Sequence, residues 1–579
     1  VPAASLGPIT SIFGISTTGV GGALLRVLGS IALQTALTPK PKSIVPEALP
    51  FKRFVYGDAV AQGTPIPWPA KNGYAYAAWL MNSRESHAVD TIYLNNQALT
   101  LTGDATDFSG DGATATNGLF ADHVNVFIGK GDQTAPPTMF TDDAAYDAST
   151  FPWGWKTTDA GEGTTIIFAR LKRGGSGDFA DRWDNRQIID CKARGRWSKI
   201  WDLRVEGQNA TLCAIDAFIR NPSQPIAVDD LDIDLLKQVA TICAEDVALK
   251  AGGTEERYPV SGTVTFDGSE LAQIMQPFAD AMAGEIVRNG GKIGLMPGVA
   301  QDAALTVSEM VSGPTFKKVQ KPSELYHEVR TKYFPQALLT EPAELPPYAI
   351  PGVTQPASPK PLEVFLPLVA SDAQAQRIGK IRGINSRRLK STTFVGWPET
   401  AKLIKGARFD LSRAAPLDTL NGPFVVESMQ PGAALLGDDD GMALRNSITG
   451  LEYIADAYAW DETTEEITIT HTTYQSPSAN ALETPTITST SSTSSTVSMT
   501  AQAPNDSEVQ SMELRIGTTS DPTAATDFPN SPFAVAATQS QSSTETGLTS
   551  ETTYHVFARV SGPSRPTSDW ATTTIDTTV

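Results

Sequence analysis

Leu24 to Leu37 most constrains what this chain can become, because an apolar run of this kind either crosses a bilayer or needs a protein surface to cover it. Only Arg26, Gly29, Ser30, Gln34 and Thr35 interrupt the aliphatics before Pro39 stops a helix. That falls short of the about 20 mostly apolar residues that span a bilayer core. Upstream, Gly14, Gly19, Gly21 and Gly22 each weaken a helix by about 1 kcal/mol. No basic stretch precedes the run, so it does not read as a secretory leader. With its stiff exit Pro39-Lys40-Pro41-Lys42, segment 1–45 reads as a tethered arm.

The remaining chain is too long for one core. Single cores rarely grow past about 250–300 residues, so 579 residues make several domains. A net charge of −19 argues against a general nucleic-acid binder, which needs a basic face to displace counterions. Cys191, Cys213 and Cys243 are too scattered for a disulfide framework or a zinc knuckle, and read as reduced core thiols.

Hydrophobic periodicity divides the chain beyond the arm. "FKRFVYGDAV" (Phe51 to Val60), "TIYLNNQALTL" (Thr91 to Leu101, split by Asn95-Asn96) and "TTIIFARLKR" (Thr164 to Arg173, with one set of alternating residues inward) read as strands. Gly103 to Gly118 reads as a long exposed loop. Helical spacing then takes over at Leu212, Ile215 and Ile219, and again through Leu231, Leu235, Val239 and Ile242. A third stripe, Leu271, Ile274, Met275, Phe278 and Met282, contains Pro277 as a kink and Gly284 as a stop. "EIVRNGGKIGLM" is a hairpin with Asn289-Gly290 at its turn. Past a Pro-rich connector from Glu341 to Pro361, Ser371 and Gln374 form a reciprocal capping box that starts a helix. Strands return with "TTFVGW" and "PFVVESM". A Ser/Thr-rich join near Ser476 to Thr496 leads into a last small β unit.

This gives a multidomain fold, mainly β with an α+β middle section. Its segments are the arm 1–45, a β domain 46–205, an α+β domain 206–315, a second β domain with one helix 316–475, and a β-sandwich 484–579.

Few residues carry chemistry. His87, His123, His327, His471 and His555 stand far apart without HExxH or HxH spacing. There is no phosphate-binding loop, dinucleotide fingerprint or GxSxG elbow. The reading is therefore of a non-enzyme without cofactor or metal. The carboxylates of Asp104 to Gly112 and of Gly437 to Gly441 miss the calcium-loop spacing and read as turn formers. Arg170 to Arg204 mixes basic residues with Trp183, Trp197 and Trp201. Interleaved Asp178, Asp181, Asp184 and Asp190 would repel a nucleic acid, so these tryptophans read as packing. A basic run, Arg377, Lys380, Arg382, Arg387, Arg388 and Lys390, is unusual in so acidic a chain. Arg377, Lys380, Arg387 and Arg388 are candidates for pairing across a subunit seam, weighed against a plain solvated face.

Two resemblances bear on function. In "GLTSETTYHVFARVSG", Leu548 stands six residues before Tyr554, and Tyr554, Val556, Ala558 and Val560 alternate. The segment resembles a fibronectin type III domain lacking its early-strand Trp, with Val497, Met499, Leu514 and Ile516 as core substitutes. The middle of the chain carries the blocks "DGSELAQIMQPFADAMAGEIVRNGGKIGLMPG", "ALTVSEMVSGPTFKKVQKPSELYHEVRTKYF", "LPLVASDAQAQRIGKIRGINSRR", "LNGPFVVESM" and "DAYAWD", preceded by "RFVYGDAVAQGTPI" and "TTIIFARLKRGGSGDF". In this order they resemble the tail-tip hub, or central-fibre, proteins of lambda-like long-tailed phages.

That resemblance implies a homotrimer with tail-tube-like β domains, closing the tail tube at the virion's tail tip after assembly in the host cytoplasm. Its implied partners are a distal tail protein ring, the tape-measure protein and other hub or fibre proteins. DNA is a partner only in transit during ejection. Leu24, Leu25, Leu28, Ile31 and Leu33 of the arm become candidate lumenal or trimer contacts. An ordinary buried helix is the equal alternative, and membrane contact during ejection a weaker one. The chain ends with the fibronectin-like segment, so receptor binding is expected to fall to another fibre protein. The competing class is a secreted carbohydrate-binding protein or glycoside hydrolase with a fibronectin type III module.

Overall fold

A computed structural model describes residues 51–579, apart from 67–68, 117–119, 174–182, 184–188, 201–207, 269, 312–313, 319–324, 416–417, 436–441, 472–481, 507–508 and 563–566. The arm, with Leu24, Leu25, Leu28, Ile31 and Leu33, lies outside the described residues, as do Trp201 and the acidic stretch at 437–441. The fold is multidomain and mainly β, with several antiparallel sheets and a few helices.

The first expected strand is two. Lys52–Tyr56 pairs with Gly262–Phe266, whereas Asp58–Gln62 pairs with Cys191–Arg196 in a different sheet. Gly57 makes the break at φ +68, a left-handed conformation disfavoured for any residue with a Cβ. Alternation alone could not reveal it, because the two strands differ in partner and not in composition.

A seven-stranded sheet runs Thr64–Ile66, Tyr74–Asn82, Thr165–Lys172, Val124–Gly129, Ala113–Ala115 and Leu101–Gly103, with Ala70–Lys71 also paired to Tyr74–Asn82. Opposite lies the four-stranded sheet that contains Cys191–Arg196 and Ala88–Leu94. Thr165–Lys172 was expected to bury one face and buries both. Ile167, Ala169 and Leu171 face the inter-sheet core with Trp79, Ile92 and Trp197. Ile166 and Phe168 face a second core with Phe127, Phe140 and Trp155. The stretch 103–118 is not all loop, since Ala113 and Ala115 are buried strand residues. Its Asp104 and Asp107 do form turns: their Oδ1 atoms accept from the Thr106 and Ser109 hydroxyls, both at 2.7 Å, and from the same residues' backbone N–H groups at 2.8 and 3.0 Å, which holds both carboxyls below their usual range. Asn95 and Asn96, both at positive φ, make the expected tight turn.

The helices Ala210–Ile219, Ile233–Cys243 and Leu271–Ala281 pack in one large core with Phe54, Tyr56, Tyr333 and Ile378. That core draws residues from all three of the segments divided at 205 and 315. The helix with Pro277 ends at Ala281, Ala283 follows at φ +50, and the next position is Gly284, where a Cβ would lie 2.2 Å from the Met296 carbonyl oxygen. The next hairpin pairs Asn289 with Lys292, so its turn residues are Gly290 and Gly291, at φ +56 and +87, one place beyond the expected pair. Within the Pro-rich connector, Ala343–Glu344 and Tyr348–Ala349 add short strands to Glu328–Tyr333. Cys191, Cys213 and Cys243 are free and buried, and burial pushes all three thiols up, Cys243 to about 12.

A six-stranded sheet is built on the long hairpin Gly422–Leu435 with Met442–Glu452, and Phe394, Phe409, Phe424 and Ile448 form its core. The C-terminal residues form a β-sandwich of three- and five-stranded sheets over Val497, Met499, Leu514, Ile516 and Val556. Its Tyr554 hydroxyl accepts from the Thr549 N–H at 3.1 Å, tying the strand to the corner that precedes it. Tyr554→Phe is expected to lower the melting stability of this sandwich by about 1 kcal/mol; calorimetry should leave the other transitions unmoved.

Candidate functional site

The helix Asp372–Asn385 is the place where distant parts of the chain meet. Ser371 caps it, its Oγ accepting from the Gln374 N–H at 3.2 Å. The reciprocal half of the expected capping box is missing. The Gln374 side chain turns inward, donating to the carbonyls of Pro259 and Ala281 at 3.0 and 2.9 Å. Ser371 Oγ–H instead donates to Glu255 Oε2 at 2.6 Å. Gly379 and Gly383 let the helix lie directly on strand Glu328–Tyr333: a Cβ at Gly383 would sit 2.6 Å from Val329 Cγ2, and one at Gly379 2.8 Å from Thr331 Oγ1.

The basic run radiates from this helix. Arg377 and Lys380, only 4% and 6% exposed, point into the fold. Arg377 donates to Glu255 Oε1 at 2.7 Å and to the Arg257 carbonyl at 2.8 Å. Lys380 donates to the Ala459 carbonyl at 2.6 Å and pairs with Glu465. Arg382 holds Asp280 at 3.1 Å and the Gly284 carbonyl at 2.9 Å. Burial pushes the Asp280 carboxyl up, while Arg382 and a bond from Gln276 pull it down. Arg387 and Arg388 are half-buried, reaching the Tyr326 carbonyl and the Tyr458 hydroxyl, each at 3.3 Å. Lys390 pairs with Glu452 at 3.1 Å.

At the N-terminal end, Asp372 accepts from the Tyr333 hydroxyl at 2.7 Å and lies 3.0 Å from His471 Nε2. Burial, and then Asp372, push the Tyr333 phenol up, so it acts there as a donor. Gln376 exchanges two hydrogen bonds with the Ile467 backbone, at 2.9 and 2.8 Å.

The four candidate basic residues thus share one helix and its exit, and Arg377 and Lys380 have their carboxylates on the same chain. Sequence reading missed those acids, Glu255 and Glu465, and with them Asp280, the partner of Arg382. The available signal was imbalance: a helix with three basic residues and one acid, Asp372, has to find countercharge elsewhere if it is buried. Chemically the arrangement fixes charge and geometry. Among the described residues there is no cluster of three or more His, Cys, Asp or Glu arranged to hold a metal. Nor is any described helix long and apolar enough to cross a membrane. Trp183 and Trp197, 4% and 1% exposed, are packed in the inter-sheet core, in line with the packing reading.

No protein-family model and no curated protein matches the chain. Solved structures do. A chain from the virion of a native gene transfer agent particle aligns with 78% of this chain and 100% of its own length, at 14% identity and a TM-score of 0.43. The tail protein from Neisseria meningitidis MC58 aligns with 69% of this chain and 97% of its own, at 9% identity and a TM-score of 0.24. The chicken CNTN1 FN1–FN3 domains align with 17% of this chain and 33% of their own length, at 22% identity and a TM-score of 0.15. Identities and scores of this size leave function to be read from the chain's own residues.

Proposed function

We propose that the chain is a structural subunit of a phage-like tail, the hub that closes the tail tube at its tip. The observation that carries this reading is where the resembling blocks go. Leu366 to Arg388 contains the buried helix. That helix is pinned to Asp267–Gly298 through Arg382 and Asp280, to Ala304–Phe334 through Asp372 and Tyr333, and to Asp456–Asp461 through Lys380 and the Ala459 carbonyl. Four of the seven blocks whose order along the chain resembles the hub family are therefore joined by one polar network, as in a part that must transmit load without coming apart.

In this reading the chain is a homotrimer, docking the distal tail ring above, fibre proteins below and the tape measure within. Its segments are those drawn from the sequence. The arm, through Leu24, Leu25, Leu28, Ile31 and Leu33, gathers near the axis. Arg387 and Arg388, which have no carboxylate partner among the described residues, are the candidates for an acidic partner across a seam. The role is mechanical: engagement below shifts subunit contacts and opens the bore.

Electron microscopy of purified particles labelled at Val579 tests this directly. Label at the tail tip is expected, and a mass of three chains for the extracted complex. A monomer missing from particles defeats the reading. Removing residues 1–42 is expected to leave the β domains folded and to abolish completed tails; infectious particles built from the truncated chain would contradict the arm's role.

A further inference from the structure

We infer that the first β region carries a binding site for a neutral saccharide, centred on Trp153. This indole is 78% exposed, the most of any large hydrophobic side chain among the described residues other than the terminal Val579. It is also held in place. Tyr146 and Trp155 join across the loop through an N–H to carbonyl bond of 3.0 Å, and Asp147 and Phe151 exchange two more at 3.1 and 2.9 Å. Trp155 continues into the core, its Nε1–H donating to the Tyr76 carbonyl at 3.2 Å. Trp153 thus stands on a braced loop, with its ring free to receive a ligand.

Beside it lies a cavity of about 310 Å³, lined by Ile66, Trp153, Trp155, Asp159, Gly161 and Phe168. That volume is at the lower end of small-molecule sites. One Asp159 oxygen accepts from the Lys156 N–H at 2.9 Å, and the other has no bond among the described residues. Lys156 itself is held over the Tyr146 ring, 4.3 Å from its centre, at the edge of the same loop.

The chemistry selects the ligand. A sugar ring has an apolar C–H face, which stacks on an exposed indole, and equatorial hydroxyls, which donate to a carboxylate. An anionic ligand would meet Asp159 with no cation in the lining to offset it. A purely apolar ligand would leave that carboxylate desolvated and unpaired. The surplus of acids over bases, 64 against 45, disfavours nucleic acid on the same ground. The inference does not depend on the tail-hub reading.

The test is calorimetric titration of the full chain with maltohexaose, cellohexaose and chitohexaose, alongside a microarray of neutral and acidic bacterial glycans. At least one neutral glycan is expected to bind. Trp153→Ala should weaken that binding at least tenfold with an unchanged melting profile, Trp153→Phe should recover part of it, and Asp159→Asn should weaken it severalfold. Binding by no neutral glycan, binding indifferent to Trp153→Ala, or binding confined to acidic glycans overturns the inference. So does a Trp153→Ala chain that loses only its incorporation into particles, which would make the indole a protein contact.

Discussion

Arg377→Ala is expected to destabilise the region around helix Asp372–Asn385 by about 3–5 kcal/mol, the usual penalty for breaking a buried ion pair from one side. The Arg377 side chain is 5% exposed and that of Glu255 17%. Taking the guanidinium away removes two charge-assisted bonds and leaves a carboxylate in a poorly solvated place, with Ser371 Oγ–H as its remaining side-chain donor. The Arg257 carbonyl loses its partner as well. Because the chain has several cores, a single unfolding transition is not assumed. Hydrogen exchange of amides 372–385, read beside calorimetry, reports the loss where it occurs. Adding Glu255→Gln should recover a substantial part, since it removes the orphaned charge. Lys237→Ala is the contrast: its pair with Asp234 is 74% and 94% exposed, and a change within about 0.5 kcal/mol is expected. An Arg377→Ala chain as stable as this control would show that the buried pair does not hold the helix.

Gly57→Ala is expected to cost about 3 kcal/mol, for two separable reasons. The φ of +68 penalises any Cβ. The space is also filled: a Cβ there would lie 1.9 Å from the Val260 carbonyl oxygen and 3.1 Å from Ser261 Oγ. Backbone must therefore move where Lys52–Tyr56 and Asp58–Gln62 diverge into different sheets. Gly73→Ala separates the two terms, because Gly73 has a similar φ of +82 and nothing within 4 Å. It should cost about 1 kcal/mol. Equal melting shifts for the two variants would mean that the crowding at Gly57 relaxes freely.

Both positions show how far the sequence reaches. Local rules found what local physics fixes. Asn95-Asn96 turns a hairpin because both residues tolerate positive φ, Ser371 starts a helix because its Oγ satisfies a free N–H, and Tyr554 marks its corner by spacing from Leu548. Where two local solutions were nearly equivalent, the structure chose the neighbour. Gly290-Gly291 displaced Asn289-Gly290 once the register put Asn289 opposite Lys292.

The basic run was legible as an anomaly, and its direction was not. Arg377, Lys380 and Arg382 find Glu255, Glu465 and Asp280 between 85 and 122 residues away along the chain. No periodicity on the helix encodes such partners. Asp216 is the same case: it looks like an ordinary helical acid, yet it is 1% exposed and holds Arg84, Arg220 and the Tyr56 hydroxyl.

By itself the sequence determined the alternation of β, helical and β stretches, the turns and caps, the lone buried thiols and the sandwich at the C-terminal end. Those follow from backbone sterics and from the period with which side chains recur. Only the tertiary structure decided that Thr165–Lys172 is covered on both faces, that Phe51 to Val60 serves two sheets, and that a cationic helix lies inside. Each depends on which surfaces arrive from far along the chain, and burial and countercharge belong to the pair that meets, not to either segment alone.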